Sequence, residues 1–345
     1  MPRSGPATSQ VGLTWALGFT ETEDGTLLKR MVIGLTAILV LLGAAAAYFL
    51  YAPKPALPSG PIEALTLDIG GHQRHYLVFT PSRLRTGASV IVVFHPSQSS
   101  GEDMRRIVGN ALERIAGRDN VVVVYPDGYE GHFNDCRRVA SFSARARNID
   151  DVGFTRQIIE RLVVERKIDP THVYAIGYSN GGHMALRLAL ETPEMVRGVA
   201  AIAANLPAPD NMDCKVAASP ARFIELVEGT QDPINPHEGG QVTLFGFGNR
   251  GNVLSAQESA QWFARTLGLA AAETRPLQQA PGISAQQQDW VSSSGHVRLV
   301  TIQGGGHTVP QAGYRFPRIL GATLQSDSVL ESTWQLLTAN TRGDP

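Results

Sequence analysis

The sequence predicts an α/β fold: a mostly parallel central sheet flanked by helices, opened by an antiparallel strand pair and preceded by one N-terminal transmembrane helix. Three observations carry this. From about Ile62 onward, apolar strand-like runs alternate with segments of helical periodicity. Several of the strand-like runs are continuously apolar, as central strands covered on both faces must be. Finally, 345 residues with 43% hydrophobic and 18% charged side chains supply a sizeable core and exclude fibrous and disordered classes. Thirty Lys and Arg against thirty-one Asp and Glu leave a formal charge of −1, so a nucleic-acid partner is not expected.

Taken in order, the first element is residues 31–51, MVIGLTAILVLLGAAAAYFLY, which carry no charge and as a helix reach about 30 Å, one bilayer core. Lys29 and Arg30 precede it. By the positive-inside rule residues 1–30 are cytoplasmic and everything beyond Tyr51 is exported. A buried core helix is the plainer alternative; the uniformly apolar run without a polar stripe, followed by the proline-rich residues 52–61, favours a membrane span. The rival is a cleaved signal peptide, with Ala44 to Ala47 offering small residues to a peptidase and residues 1–30 a mis-annotated start whose true position is near Leu28 or Met31. Either reading gives an extracytoplasmic domain, membrane-anchored or secreted. The proline-rich residues 52–61 read as a linker, and residues 62–340 as one domain without internal repeats.

Within that domain the strand-like runs are Ile62 to Ile69, His75 to Thr80, Ser89 to His95, Val121 to Pro126, Val173 to Tyr178, Gly198 to Ala204, Phe223 to Gly229 and Val297 to Gly304. Helical periodicity marks Glu102 to Ile115, Val152 to Val164 with Asp150 or Asp151 as N-cap, Gly181 to Leu190, Ser255 to Leu267 and Ser328 to Leu337. Cys136 and Cys214, an even pair in an exported domain, are expected to form a disulfide; two unpaired buried thiols are the alternative. No CxxC or Cys/His spacing points to a metal.

The chemistry concentrates at Gly177-Tyr178-Ser179-Asn180-Gly181, where an apolar strand meets a helix. A serine on such a turn is held out above the sheet, and glycines two residues either side prevent clashes, so Ser179 is the candidate nucleophile. A Gly-rich turn without chemistry is the plainer alternative. A serine nucleophile needs a base and an orienting acid, in the chain order Ser, Asp or Glu, His, each on a loop after a strand. Of the nine histidines, His237, His296 and His307 follow Cys214; His296 precedes its strand, and His307 follows the run Val297 to Gly304 within Gly304-Gly305-Gly306-His307 and is the candidate base. Asp232 follows the run Phe223 to Gly229 and is the candidate acid. Asp210 and Asp213 are the runners-up, and Asp289 is expected at the surface. The expected oxyanion donors are the Ser97 and Asn180 amides.

These residues resemble the extracellular polyhydroxybutyrate depolymerase and feruloyl esterase family of α/β-hydrolase esterases. The resemblance covers about Ile62 to Leu337 and rests on Tyr125-Pro126-Asp127-Gly128, Phe133-Asn134-Asp135, Asp150-Asp151-Val152-Gly153-Phe154, Ile168-Asp169-Pro170 with Val173-Tyr174-Ala175, the Gly177 to Gly182 turn, Gly229-Thr230-Gln231-Asp232-Pro233 and Gly304-Gly305-Gly306-His307-Thr308. It implies an α/β-hydrolase fold, Ser179, Asp232 and His307 as the triad, and cofactor-free hydrolysis of carboxylic esters. The substrates it implies are polyhydroxyalkanoate oligomers, polysaccharide-linked feruloyl esters, or similar small esters. The sequence departs from the family at His95-Pro96-Ser97, where His-Gly and a small residue are usual, and at Phe133 and Val309, where tryptophan is common. An acyltransferase or serine peptidase would use the same triad, and a catalytically impaired binding protein is the reading that Pro96 keeps open.

Overall fold

The computed structural model describes residues 23–270 and 273–339. Most of the expected cytoplasmic or mis-annotated segment 1–30, namely residues 1–22, lies outside the described residues, as does residue 340 at the end of the expected domain. The chain divides into two units, Met1–Tyr51 and Ala52–Pro345.

The first unit is the helix α1, Glu23–Leu50. It begins upstream of the expected Met31 and stops one residue short of Tyr51. Its stretch Thr26–Leu50 has a mean hydropathy of 2.3 over its most apolar window, none of it buried, and is long and apolar enough to cross a membrane.

The second unit holds strands β1 (Ile62–Ile69), β2 (His72–Phe79), β3 (Ala88–Phe94), β4 (Val121–Pro126), β5 (Ile168–Tyr178), β6 (Gly198–Ile202), β7 (Phe223–Gly229), β8 (Gly240–Gln241), β9 (Asn252–Val253), β10 (Glu273–Ala280), β11 (Ile283–Ser292) and β12 (Gly295–Gln303). Its helices are α2 (Gly101–Asp119), α3 (Ser143–Ala146), α4 (Asp151–Arg166), α5 (Asn180–Glu191), α6 (Ala256–Thr266) and α7 (Ser328–Leu337). Ten strands make one sheet in the order β1-β2-β4-β3-β5-β6-β7-β12-β11-β10, while β8 and β9 pair separately. The run from β4 to β12 is parallel throughout, and an antiparallel pair closes each edge. The central strands are apolar on both faces because both faces are covered. Phe154, Ile158, Leu188 and Phe263 from α4, α5 and α6 pack on one side. Met104, Leu112, Val329 and Leu330 from α2 and α7 pack on the other.

The helix starts follow local chemistry. Asp150 caps α4 by accepting from the Gly153 amide at 2.7 Å, Ser100 caps α2, and Ser255 with Glu258 forms a capping box on α6. Residues 52–61, expected as a linker, are fastened to α2: Arg106 Nη1 donates to the Pro55 carbonyl at 2.8 Å, and Arg105 Nη2 to those of Pro58 and Gly60 at 2.9 and 3.0 Å.

The hairpin β10–β11 was not expected. Its sequence is rich in glutamine and lacks an apolar run, because an edge pair packs little of its surface and draws its order from the β12 ladder. Asp289 of β11 corrects the expectation of a surface residue. It is buried, with Oδ1 accepting from Arg298 Nε at 2.6 Å and paired with His296 Nε2 at 2.7 Å. Burial alone would raise this carboxyl, but the hydrogen bonds from His296 and Arg298 outweigh it and hold it well below the usual carboxylate range.

Candidate active site

Strand β5 delivers Ser179 at its C-terminal end, and α5 begins at the next residue. Ser179 has φ 56° and ψ −118°, a conformation costly for any residue with a side chain. The turn closes this tightly because its flanks are bare. A Cβ on Gly177 would collide with the Gly181 carbonyl, and one on Gly181 with the Phe94 carbonyl. The Ser179 amide donates to the Ile202 carbonyl of β6 at 2.8 Å, which fixes the turn to the sheet.

His307 stands on the loop after β12. Its amide donates to the Leu320 carbonyl at 2.7 Å and its carbonyl accepts from the Tyr178 hydroxyl at 2.7 Å, so its backbone is held on both sides. The imidazole Nε2 lies 2.9 Å from Ser179 Oγ, and Nδ1 lies 2.7 Å from Asp232 Oδ2. Asp232, after β7, keeps its other oxygen occupied by the Ile234 and Asn235 amides at 2.7 and 2.8 Å. Three side chains from loops 53 to 75 residues apart thus form one continuous relay at the C-terminal edge of the parallel strands. Asp210 and Asp213 take no part. Asp210 accepts from Asn252, and Asp213 is ion-paired with Arg145 and Arg138.

Beneath Asp232 sits the fully buried Glu228. It accepts from the Ala204 amide at 2.8 Å and from Asn235 Nδ2 at 3.1 Å. Burial, and after it the neighbouring Asp232 charge, raises its carboxyl well above the ordinary value, so it is held protonated.

Asn180 plays a part in the structure that its motif position did not reveal. Its side-chain oxygen accepts from the Phe133 amide at 2.8 Å, and Nδ2 donates to the Phe133 carbonyl at 3.0 Å and to Asp135 Oδ2 at 2.7 Å. Asp135 is in turn ion-paired with Arg137, and burial, which would raise its carboxyl, is outweighed by Arg137, leaving it lowered to about 2. The neighbouring Cys136 is disulfide-bonded to Cys214. The expected pairing is therefore present, tying the loop under the serine turn to the one ending at Asp213, whose amide donates to the Cys136 carbonyl at 2.9 Å.

Ser97, the other expected oxyanion residue, follows β3 and lines a cavity of about 280 Å³ together with Ser179 and His307. Ile107, Leu320, Val242 and Phe316 give it apolar lining; its charged lining is Arg137, Arg250 and the pair Lys54–Asp103. Sequence reading missed Arg250. It sits in the Gly- and Asn-rich stretch Gly248-Asn249-Arg250-Gly251-Asn252, which carries no local signal for a pocket.

A serine, imidazole and carboxylate joined at the strand ends of this sheet are the constellation of a serine hydrolase acting on ester bonds. Residues 137–294 match the profile of the α/β-hydrolase fold family. The chain is 30% identical over 304 residues to NocK of Nocardia uniformis subsp. tsuyamanensis, a protein named as an esterase, covering 79% of this chain and 86% of that one. It is 27% identical over 224 residues to feruloyl esterase B of Piromyces equi, covering 64% of this chain and 39% of the length of that relative. The acetyl xylan esterase of Aspergillus awamori shares the fold, with a TM-score of 0.52 at 14% identity over 73% of this chain and 95% of that one. The chain belongs to the α/β-hydrolase family of esterases.

Proposed function

We propose that this esterase works through an acyl-enzyme on Ser179, with His307 as general base and then general acid and Asp232 orienting the imidazole. The observation that carries the reading is the unbroken contact from Ser179 Oγ to His307 Nε2 at 2.9 Å and from Nδ1 to Asp232 Oδ2 at 2.7 Å. With Nδ1–H donated to Asp232, the Nε2 lone pair faces the serine and takes its proton as Oγ attacks the ester carbonyl. The oxyanion that forms is received by the Ser97 and Asn180 amides. His307 then returns the proton to the departing alcohol, and a water activated by the same nitrogen releases the acid. No cofactor is needed at any step.

The domain acts outside the cytoplasm, membrane-anchored through α1 or secreted after cleavage. The apolar helix near the N-terminus and the Cys136–Cys214 disulfide support this. The substrates are small carboxylic esters such as polyhydroxyalkanoate oligomers or feruloyl esters. A cavity of about 280 Å³ suits one end of such a molecule. The test is labelling with a fluorophosphonate probe, followed by turnover on aryl, feruloyl and 3-hydroxybutyryl esters. Labelling and turnover should both depend on Ser179; either persisting in Ser179→Ala overturns the reading.

A further inference from the structure

We infer that Arg250 is the binding site for a carboxylate carried by the ester substrate, so that the preferred substrate is an anionic ester: the O-acyl derivative of a hydroxy acid, or the monoester of a diacid. The inference deepens the serine-esterase reading and rests on it.

Arg250 is built into the pocket wall. It lies on the loop between β8 and β9, where its amide donates to the Val242 carbonyl at 3.0 Å and its carbonyl accepts from Asn211 Nδ2 at 3.0 Å. Its guanidinium carbon rests 5.5 Å from the centre of the Phe142 ring, and Nη1 donates to Ser97 Oγ at 3.3 Å. Backbone and side chain are therefore both positioned before any ligand arrives.

Its charge has no ion-pair partner among the described residues, and Asp135, bound to Arg137, acts on it only from beyond ion-pair distance. Among the described residues no carboxylate lies within ion-pairing distance of Arg250, whereas the buried guanidiniums of Arg74, Arg105 and Arg298 are each paired with one. The other cations lining the cavity are already spent: Lys54 is paired with Asp103 and Arg137 with Asp135. Arg137 Nε and Nη2 both bind Asp135, which also accepts from Asn180. Half-buried and unpaired, Arg250 carries an electrostatic cost that an incoming anion relieves. Burial and the charge of Arg137 accordingly pull its guanidinium below the usual arginine value.

Position gives the class of ligand. Arg250 touches Ser97, which lines the same cavity as Ser179, so the anion it holds is separated from the scissile carbonyl by only a few bonds. A planar carboxylate matches the guanidinium fork, and the apolar lining of the cavity takes the hydrocarbon part.

The experiment compares isosteric pairs that differ only in charge: 3-butyryloxybutyrate against 3-butyryloxybutyramide, and the 4-nitrophenyl monoester of glutaric acid against that of glutaramic acid. In at least one pair the wild-type enzyme should favour the acid in kcat/KM by about tenfold or more. Arg250→Gln should bring that ratio to within about twofold of one, and Arg250→Lys should retain part of it. Because a ratio within one preparation cancels the folded fraction, partial misfolding of a variant does not blur the result. The inference is overturned if the wild type shows no preference in both pairs, if the preference survives Arg250→Gln, or if Arg250→Gln slows both members of a pair equally, which would make Arg250 only a support for Ser97. Failure of the underlying reading looks different: 4-nitrophenyl butyrate would then be hydrolysed independently of Ser179 or not at all.

Discussion

The His95 ring holds the carbonyl of the residue that follows it, with Nδ1 2.7 Å from the Pro96 oxygen. Its Nε2 accepts from the Gly128 amide at 2.8 Å, which leaves the Nδ1–H form as the one tautomer that satisfies both contacts. Burial lowers the ring to about 4, so this neutral form persists through the neutral pH range. In a trans peptide plane the amide hydrogen lies opposite the carbonyl oxygen, so pinning the Pro96 oxygen on the His95 side turns the Ser97 N–H away from that ring. Proline at 96, which has no N–H, is tolerable where the donor asked of this loop is the next amide, that of Ser97.

The first prediction follows from that arrangement. With the Ser97 amide as the proposed donor on this loop, Pro96→Gly should change kcat on a small aryl ester by less than about tenfold. Losing one oxyanion donor typically costs about 10² to 10³ in kcat. A rise of a hundredfold or more in Pro96→Gly would show that the native hole is incomplete and would favour the impaired binding protein over the esterase.

The second concerns the relay. Ser179→Ala and His307→Ala should each remove nearly all ester turnover, leaving about 10³-fold over water from binding and the oxyanion amides. Asp232→Asn, which keeps the size but not the charge, should also lose several orders of magnitude because the imidazole is no longer held with Nε2 toward the serine. Steady-state kinetics on one activated ester measure all three; an Asp232→Asn enzyme at wild-type rate would mean that the acid lies elsewhere.

A third prediction turns on Glu228, whose carboxyl is raised above its value in the unfolded chain. A group shifted in that direction contributes its stability fully below the unfolded carboxyl pKa of about 4.3 and loses it as pH rises toward the folded one. Glu228→Gln keeps the size of the side chain without its ionisable carboxyl and so removes this loss. Between pH 5 and 8 the variant should therefore gain on the wild type by up to about 1.4 kcal/mol per pH unit until the native group ionises. Urea unfolding at both pH values reads this directly, and parallel pH dependences would refute it.

The fourth is the disulfide. Cys136 and Cys214 are 78 residues apart, so in the chain-entropy model their cross-link contributes up to roughly 4 to 5 kcal/mol, commonly less in practice. Cys136→Ser with Cys214→Ser should lower the unfolding midpoint correspondingly. Protein purified from an oxidising compartment and unfolded without reductant should show no titratable thiol; two thiols would rule the bond out there.

Much of the fold was legible because it is written locally. The run at Val121–Pro126 matches its strand to the residue, since a strand covered on both faces is apolar along its length; Phe223–Gly229 matches as well, although it buries Glu225 and Glu228. Glycines at 177 and 181 marked the serine turn because side chains there would strike backbone. The β10–β11 hairpin was not legible. Its stability comes from pairing with β12, and pairing leaves no apolar periodicity in the strand that is paired. For the same reason Asp289 read as a surface residue, although Arg298 and His296 on the next strand bury and neutralise it.

The sequence by itself therefore determined the class of sheet, the position of Ser179 and the order in which its partners must come, because hydrophobic period and turn sterics act over a few residues. Only the tertiary structure decided between Asp232 and its runners-up Asp210 and Asp213 as partner of the His307 imidazole, that the Asn180 side chain braces Phe133 and Asp135, and that Arg250 lines the cavity without an ion-pair partner among the described residues. Those are matters of charge and hydrogen bonding across 47 to 153 residues of chain. No local pattern encodes them, since each depends on where the sheet carries a distant loop.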